Sequence, residues 1–562
     1  MLLILLNWLF VLITVTGIGW MLLRLMMKLP SVIRSEIPFE LNFAAGLFGI
    51  TFCGLIWNFY LPIDGWFRYG FFILSLIILL ANRSEITGMW MSFLKKIVSL
   101  HLLSLILFSI VFLIALIKSA GPSELADEGG YFLPYIRWIE SFCLTPGIAN
   151  IEDRMGFNSA FHTACAIFSM REWFEQGLYD LNGLILIICS SYFITGPDRL
   201  IRNFRSARIS DYLKAFFLLF LLRNMLTGSS ADLSNVFLAE LMIVLFIEKT
   251  EDKSLGETDV RTILIFILGL FLATIKFSSA SLFLLVIFLL ATSKQLFRTQ
   301  GVVLTFFGVL FIGTWLHRGY ILTGYFLFPL YQIDLFDPLW KVPGDVVKMQ
   351  YYFVQQFARL NVSNLESEAT ALLYPGFSWV PKWFALHNTF NKITTLILLL
   401  SLLLSLFFLI PKGKIKGGLL ALFFILLLNL TMWFISFPAY RFGWAIVIGF
   451  SGMVFTLLFF RTRFEYLFRT GLLILVTLLT LQSFWKTIAE NKATLASNLL
   501  FPHPLEVPRF VPYQLKSGIK ASVSESQKCW GINPPCFPFD HQPGLQMIGH
   551  DITDGFYVEA TQ

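Results

Sequence analysis

Leu102-Leu-Ser-Leu-Ile-Leu-Phe-Ser-Ile-Val-Phe-Leu-Ile-Ala-Leu-Ile-Lys118-Ser-Ala-Gly-Pro-Ser-Glu124-Leu-Ala-Asp127-Glu128-Gly-Gly-Tyr131 joins an uncharged apolar run to a pair of carboxylates. A span needs about 20 apolar residues, and the first half of this stretch supplies nearly that many. Comparable runs recur along the chain and predict about fourteen spans, each about 15–25 residues. They begin near Leu2, Phe39, Trp66, Val98, Tyr179, Lys214, Asp232, Thr262, Ser279, Val302, Ile393, Gly418, Trp444 and Thr470. The first run lacks a charged leader and a small-residue cleavage site, so it reads as a helix rather than a signal peptide.

Composition agrees with that reading. Of 562 residues, 57% are hydrophobic and 14% charged, against about 25% charged in soluble domains. The 61 Phe and 15 Trp suit a lipid-facing surface with interfacial aromatics. The expected fold class is an all-α integral membrane protein. A secreted enzyme, a nucleic-acid-binding domain and a disordered scaffold are excluded. The net charge of +7 belongs to basic residues at helix ends rather than to a nucleic-acid partner.

Those basic residues sort the loops. One set holds Arg24, Lys28 and Arg34; Arg83, Lys95 and Lys96; Arg199, Arg202, Arg205 and Arg208; and Lys249, Lys253 and Arg261. It continues with Lys294 and Arg298; Lys412, Lys414 and Lys416; and Arg461, Arg463 and Arg469. These loops are expected on the cytoplasmic side. Two long polar segments, 119–178 and 317–392, and the tail after 485 then face outward, with both termini. The expected organisation is a three-helix segment over 1–97, a transmembrane core over 98–484 that carries the two outer loops, and an outer tail over 485–562. In that tail Cys529-Trp-Gly-Ile-Asn-Pro-Pro-Cys536 reads as a disulfide in an oxidising compartment, since the spacing is not that of a zinc site.

Long ordered loops commonly carry function. Asp127 and Glu128 suit a general base that takes a proton from a hydroxyl or amine, and equally a solvated start to a helix. Candidate cations on the same side are Arg154, Lys276, His317, Arg318, Lys341 and Arg441. They fit phosphate binding, or simple snorkelling to lipid headgroups. Lys276 and Arg441 sit in very short outer turns. Glu240 lies inside an apolar run, where a carboxyl is costly; it suits a substrate cavity or an ion pair with Arg223 or Lys276. The aromatics of 317–392, Trp340, Tyr351, Tyr352, Phe353, Tyr374, Phe377, Trp379 and Trp383 among them, suit amphipathic helices lying on the bilayer, or a sugar-binding wall. No spacing demands a metal, although Asp127, Glu128 and Asp153 offer oxygen ligands; no cofactor motif is present.

A membrane helix, then Asp127-Glu-Gly-Gly-Tyr131, then an amphipathic surface helix resembles the GT-C glycosyltransferases. More narrowly, the chain resembles a family of bacterial polytopic membrane proteins placed within that superfamily. The segments that carry this are Asp127–Tyr131, Pro146-Gly-Ile-Ala-Asn150 to Asn158, Gly324-Tyr-Phe-Leu-Phe-Pro329, Trp340-Lys-Val-Pro343, Pro438-Ala-Tyr-Arg441-Phe, Cys529 to Cys536, and Gly555-Phe556. The family commonly has His after the motif tyrosine, where Phe132 stands here. The resemblance implies a GT-C-like architecture in a bacterial inner membrane and transfer of a sugar from a polyprenyl-(pyro)phosphate donor. The acceptor would be a glycan, lipid or protein at the periplasmic face. It casts Asp127 as catalytic base with Glu128 beside it; Tyr131, Asn158 and Glu240 are expected at the substrate cavity. Two other readings remain open: an outer-face polymerase or ligase of lipid-linked oligosaccharide repeats, and a transporter of lipid-linked or anionic sugars.

Overall fold

The computed structural model describes residues 1–28, 36–123, 125–223, 228–293, 299–362, 367–409, 417–514, 520–526, 528–537 and 544–559. Glu124, Arg34, Lys294, Arg298, Lys412, Lys414 and Lys416 lie outside the described residues.

The chain is an integral membrane protein by its helices. Among the described residues nine are long and apolar enough to cross a bilayer. They are Leu2–Met27, Phe39–Trp57, Leu102–Ala120, Leu181–Arg202, Gly301–Thr323, Thr389–Leu406, Gly417–Ser436, Tyr440–Phe459 and Glu465–Asn491. The other expected spans take different forms. The run from Trp66 forms Gly65–Ala81, which turns by 94° into Arg83–Val98, a tenth span if the bent pair counts as one. The run from Asp232 is a 21-residue helix, Ala231–Glu251, that carries Asp232, Glu240, Glu248, Lys249 and Glu251. Ile209–Arg223 spans 15 residues and Val260–Ile275 spans 16. Phe277–Thr292 is another short apolar helix, and it begins as a 3-10 turn directly after Lys276.

Local chemistry explains several boundaries. Asp64 caps Gly65–Ala81 by accepting from the Trp66 and Phe67 amides, and Asp259 forms a capping box with Thr262 ahead of Val260–Ile275. Leu2–Met27 crosses Phe39–Trp57 at backbone contact. A Cβ on Gly19 would lie 2.1 Å from Asn42 O, and one on Gly46 would lie 2.0 Å from Val15 O. Small residues at such crossings are how apolar helices associate where burial from water gives no advantage.

The two ends of the bundle differ. At one end the basic loops meet acidic partners: Arg24 pairs with Glu85, Lys96 with Glu40, Arg208 with Glu251 and Asp252, and Arg261 with Asp252 and Asp259. At the other end, loop 119–178, the surface helices Gly344–Leu360, Ser367–Leu373 and Val380–Leu386, and the tail pack together. Gly344–Leu360 is amphipathic, and Trp383 donates its indole N–H to Pro438 O at 3.0 Å.

The tail departs from an all-helical chain. Phe510–Gln514, Lys520–Ser524 and Cys536–Phe537 form one small sheet, and Leu545–Met547 pairs with Phe556–Val558 in another. These segments are too short and too Pro-rich to make helices, and their backbone groups are satisfied by strand pairing and by loop 119–178 instead. Phe556 N–H donates to Pro146 O at 2.9 Å, and Asn150 Nδ2 to Phe556 O at 3.2 Å. Cys529 and Cys536 form a disulfide.

Candidate functional site: a charged cluster above a membrane cavity

Asp127 ends the short connection that leaves Leu102–Ala120 and opens a helix whose first full turn is a π turn, Glu128–Phe132, running on into Leu133–Ser141. Its carboxylate meets Arg441 Nη1 at 3.0 Å and Arg154 Nη1 at 3.8 Å. Arg441 comes from the first turn of Tyr440–Phe459, while Arg154 comes from a 3-10 helix, Asp153–Phe157. Arg441 Nε lies 3.8 Å from Asp232 Oδ2, and Asp232 is also ion-paired with Lys276. Four segments far apart in sequence thus build one alternating chain of charge: Arg154, Asp127, Arg441, Asp232, Lys276.

The surroundings act on these groups unequally. Glu152 accepts from Arg154 Nε at 2.6 Å. Burial alone would lower the Arg154 guanidinium, but Glu152 more than offsets it and keeps the group firmly protonated. Burial and the charge of Glu152 push the neighbouring Asp153 up to about 8. Tyr131 lies under Arg154 at 4.8 Å, and burial, then Asp127's charge, raise its phenol further from ionisation. Lys276 sits 3.6 Å above the Phe442 ring, and the same residue flanks Arg441 at 4.9 Å. Aromatic faces here orient the cations, while burial and then the charge of Arg441 push the Lys276 ammonium well below the usual lysine range and Asp127 pulls it back.

Arg441 and Asp232 line a cavity of about 630 Å³. Its walls come from Leu102–Ala120, Ala231–Glu251, the surface helices, Tyr440–Phe459 and Glu465–Asn491. Leu233, Val236, Phe237 and Glu240 line it at helical spacing, with Ile114, Trp444 and Ile448 opposite. Glu240 is fully buried, and among the described residues its carboxyl oxygens have no hydrogen-bond partner. It lies eight residues beyond Asp232, about 12 Å along the helix. The cavity therefore offers charge at one end, an apolar shaft, and a carboxyl at depth. The ion pair considered for Glu240 with Lys276 is not made, since Lys276 is paired with Asp232; the side chain of Arg223 lies outside the described residues.

The other candidates sit elsewhere. Glu128 is buried and points away from the cluster, where it accepts from Ser229 N at 2.9 Å, Ser229 Oγ at 3.1 Å and Ser123 Oγ. Burial raises its carboxyl while those donors pull it back. Its work is to anchor the residues that lead into Ala231–Glu251. Arg318 is fully buried and bonds Leu55 O and Asn58 Oδ1. Lys341 pairs with Asp334 and Asp337 within its own loop. Asn158 adopts a left-handed φ of 50° and exchanges hydrogen bonds with Trp315, at 2.8 and 2.7 Å, so it locks a turn. Arg318 and Lys341 thus lie outside the cluster: Lys341 is paired within its own loop, and Arg318 is buried against Leu55 and Asn58. Among the described residues no three His, Cys, Asp or Glu side chains converge as metal ligands. The divalent site considered for Asp127, Glu128 and Asp153 is not assembled, because the first two face different partners.

Asp232 was invisible as a site residue in the sequence. An Asp at the start of a helix reads as ordinary dipole complementation, and Ser230 does cap this helix. No curated protein and no solved structure matches the chain. A family described as a domain of unknown function, DUF8201, matches residues 1–448, which include Asp127, Arg154, Asp232, Lys276 and Arg441. The chain belongs to the DUF8201 family.

Proposed function

We propose that the protein is a GT-C-like membrane glycosyltransferase. It moves a sugar from a polyprenyl-(pyro)phosphate donor to an acceptor hydroxyl on a glycan, lipid or protein. The reaction takes place at the outer, periplasmic face of a bacterial inner membrane, with both chain termini on that side. The observation that carries the reading is the Asp127–Arg441 pair standing over an apolar shaft. A lipid phosphate needs cations and a hydrocarbon path together, and an acceptor hydroxyl needs a nearby base.

In this reading Arg441 and Lys276 hold the donor phosphate, with Arg154 flanking. A phosphate drawn to Arg441 competes with Asp127 for the guanidinium, which leaves Oδ2 open to the acceptor. Asp127 takes the hydroxyl proton, the acceptor oxygen bonds the anomeric carbon, and the bond from that carbon to the phosphate oxygen breaks. The electron pair leaves on the carrier phosphate, where the cations stabilise it. A positioned base contributes roughly two to four orders of magnitude.

The test compares lipid-linked and surface glycans by mass spectrometry from cells with the native chain, with Asp127→Asn, and with the gene removed. One sugar missing in both altered strains, with the variant inserted in the membrane, is the expected result, and the missing mass names the sugar. Shorter chains of intact repeats would point instead to a polymerase or ligase. Unchanged glycans in the deletion would refute both enzymes and leave the transporter.

A further inference from the structure

The helix that carries Asp127 is not continuous α-helix. Leu133 N–H bonds Glu128 O, five residues back. One residue inserted into an α-helix rotates everything upstream by about 100°. Downstream, Tyr135, Arg137 and Trp138 are buried in the loop. Upstream, Asp127 meets Arg441 and Arg154. The π turn is what lets one short helix satisfy both.

That turn is gripped from outside by the tail. Trp530 N–H donates to Gly129 O at 2.9 Å. The Trp530 indole lies flush on Gly129, where a Cβ would stand 2.5 to 2.9 Å from three indole atoms. Trp530 itself holds a left-handed φ of 47°, a conformation that bulky residues adopt only where the surroundings impose it. The surroundings do so: the Cys529–Cys536 disulfide closes its loop, Arg137 Nε donates to Gly531 O at 2.6 Å, and Arg171 bonds Asn533.

We propose that Trp530, held in place by the Cys529–Cys536 loop, is a positioning residue that fixes the π turn and thereby aims Asp127 at Arg441. Its activity readout rests on the glycosyltransferase reading, but its structural readout does not. The site is then completed only in a chain whose tail has been oxidised.

The experiment is hydrogen exchange with mass spectrometry on the full-length protein in detergent, native and as Cys529→Ser/Cys536→Ser, Trp530→Ala and Trp530→Phe. Peptides over 128–133 should exchange at least tenfold faster in the cysteine pair and in Trp530→Ala, while Phe39–Trp57 stays unchanged. Trp530→Phe keeps the amide and a ring face, so it should retain slow exchange. In cells the cysteine pair should lower the glycan product at least tenfold, and Trp530→Phe should restore most of it. Unchanged exchange at 128–133 without the disulfide would overturn the proposal. So would faster exchange that also spreads through Phe39–Trp57, which would make the tail a general stabiliser. Faster local exchange with full product would overturn it as well. If Asp127→Asn leaves the glycans intact, the glycosyltransferase reading fails while the exchange data still decide whether Trp530 fixes the turn.

Discussion

Arg441→Gln separates a substrate-binding role from a structural one. The Arg441–Asp127 pair is 3.0 Å long, with side chains 40% and 27% exposed. At that distance and an effective dielectric near 20, the bare attraction is about 5 kcal/mol. Exposure, side-chain entropy and screening reduce such pairs to roughly 0–1 kcal/mol of net stability. Asp127 also retains Arg154 at 3.8 Å. The variant should therefore fold, with a melting temperature within a few degrees of native. Its loss should fall on the reaction, because a preorganised donor aimed at developing charge is worth about 2.7–4 kcal/mol, or 10²–10³ in rate. Two assays check this. Product glycan in complemented deletion cells should fall by about two orders of magnitude. Undecaprenyl phosphate added to the detergent-purified protein should raise the melting temperature of the native chain and not that of the variant. Full product together with an undiminished melting shift would refute Arg441 as the phosphate ligand. A collapse in stability would instead make the pair structural.

Other outcomes follow from the same contacts. Glu128→Ala leaves the buried Ser229 amide without its acceptor and should destabilise by about 1–3 kcal/mol, whereas Glu128→Gln keeps an acceptor oxygen and should retain product; loss of product in a stable Glu128→Gln would restore it as a catalytic candidate. His162, buried among Tyr131, Phe132 and Tyr135, has its pKa lowered to about 3 by burial. Its contribution is present above the unfolded value near 6.5 and is lost as pH falls, at up to about 1.4 kcal/mol per pH unit for one group. Thermal melts of His162→Gln should lose that acid sensitivity between pH 6.5 and 5. Gly46→Ala places a Cβ 2.0 Å from Val15 O and should cost about 1–3 kcal/mol by forcing the crossing helices apart, read as lowered yield and melting temperature. Glu240→Leu removes a carboxyl that has no hydrogen-bond partner among the described residues and should stabilise by about 1–3 kcal/mol; destabilisation would mean that Glu240 has a partner in the membrane.

The apolar runs determine by themselves that this is a helical membrane protein, because hydropathy and helix length are local properties that need no partner. Among the described residues nine of the expected spans appear at the expected places for that reason. Where charge or a turn interrupts a run, as at Asn82, Lys276 and along Ala231–Glu251, hydropathy alone does not fix the form the run takes, since the bend and the burial of charge depend on neighbouring helices. The sequence also brought Asp127, Arg154, Lys276 and Arg441 onto one candidate list, but for residue type and side alone, so Arg318 and Lys341 came with them. Only packing separates these groups. Asp127 and Arg441 are 314 residues apart, and whether a cation meets that carboxylate or a nearby carbonyl is decided by which helices cross. Asp232 and Trp530 carry no local mark at all: one looks like a helix start and the other like a tail aromatic. The place of Asp232 in the cluster and that of Trp530 against Gly129 come from tertiary contacts, which no single stretch of sequence contains.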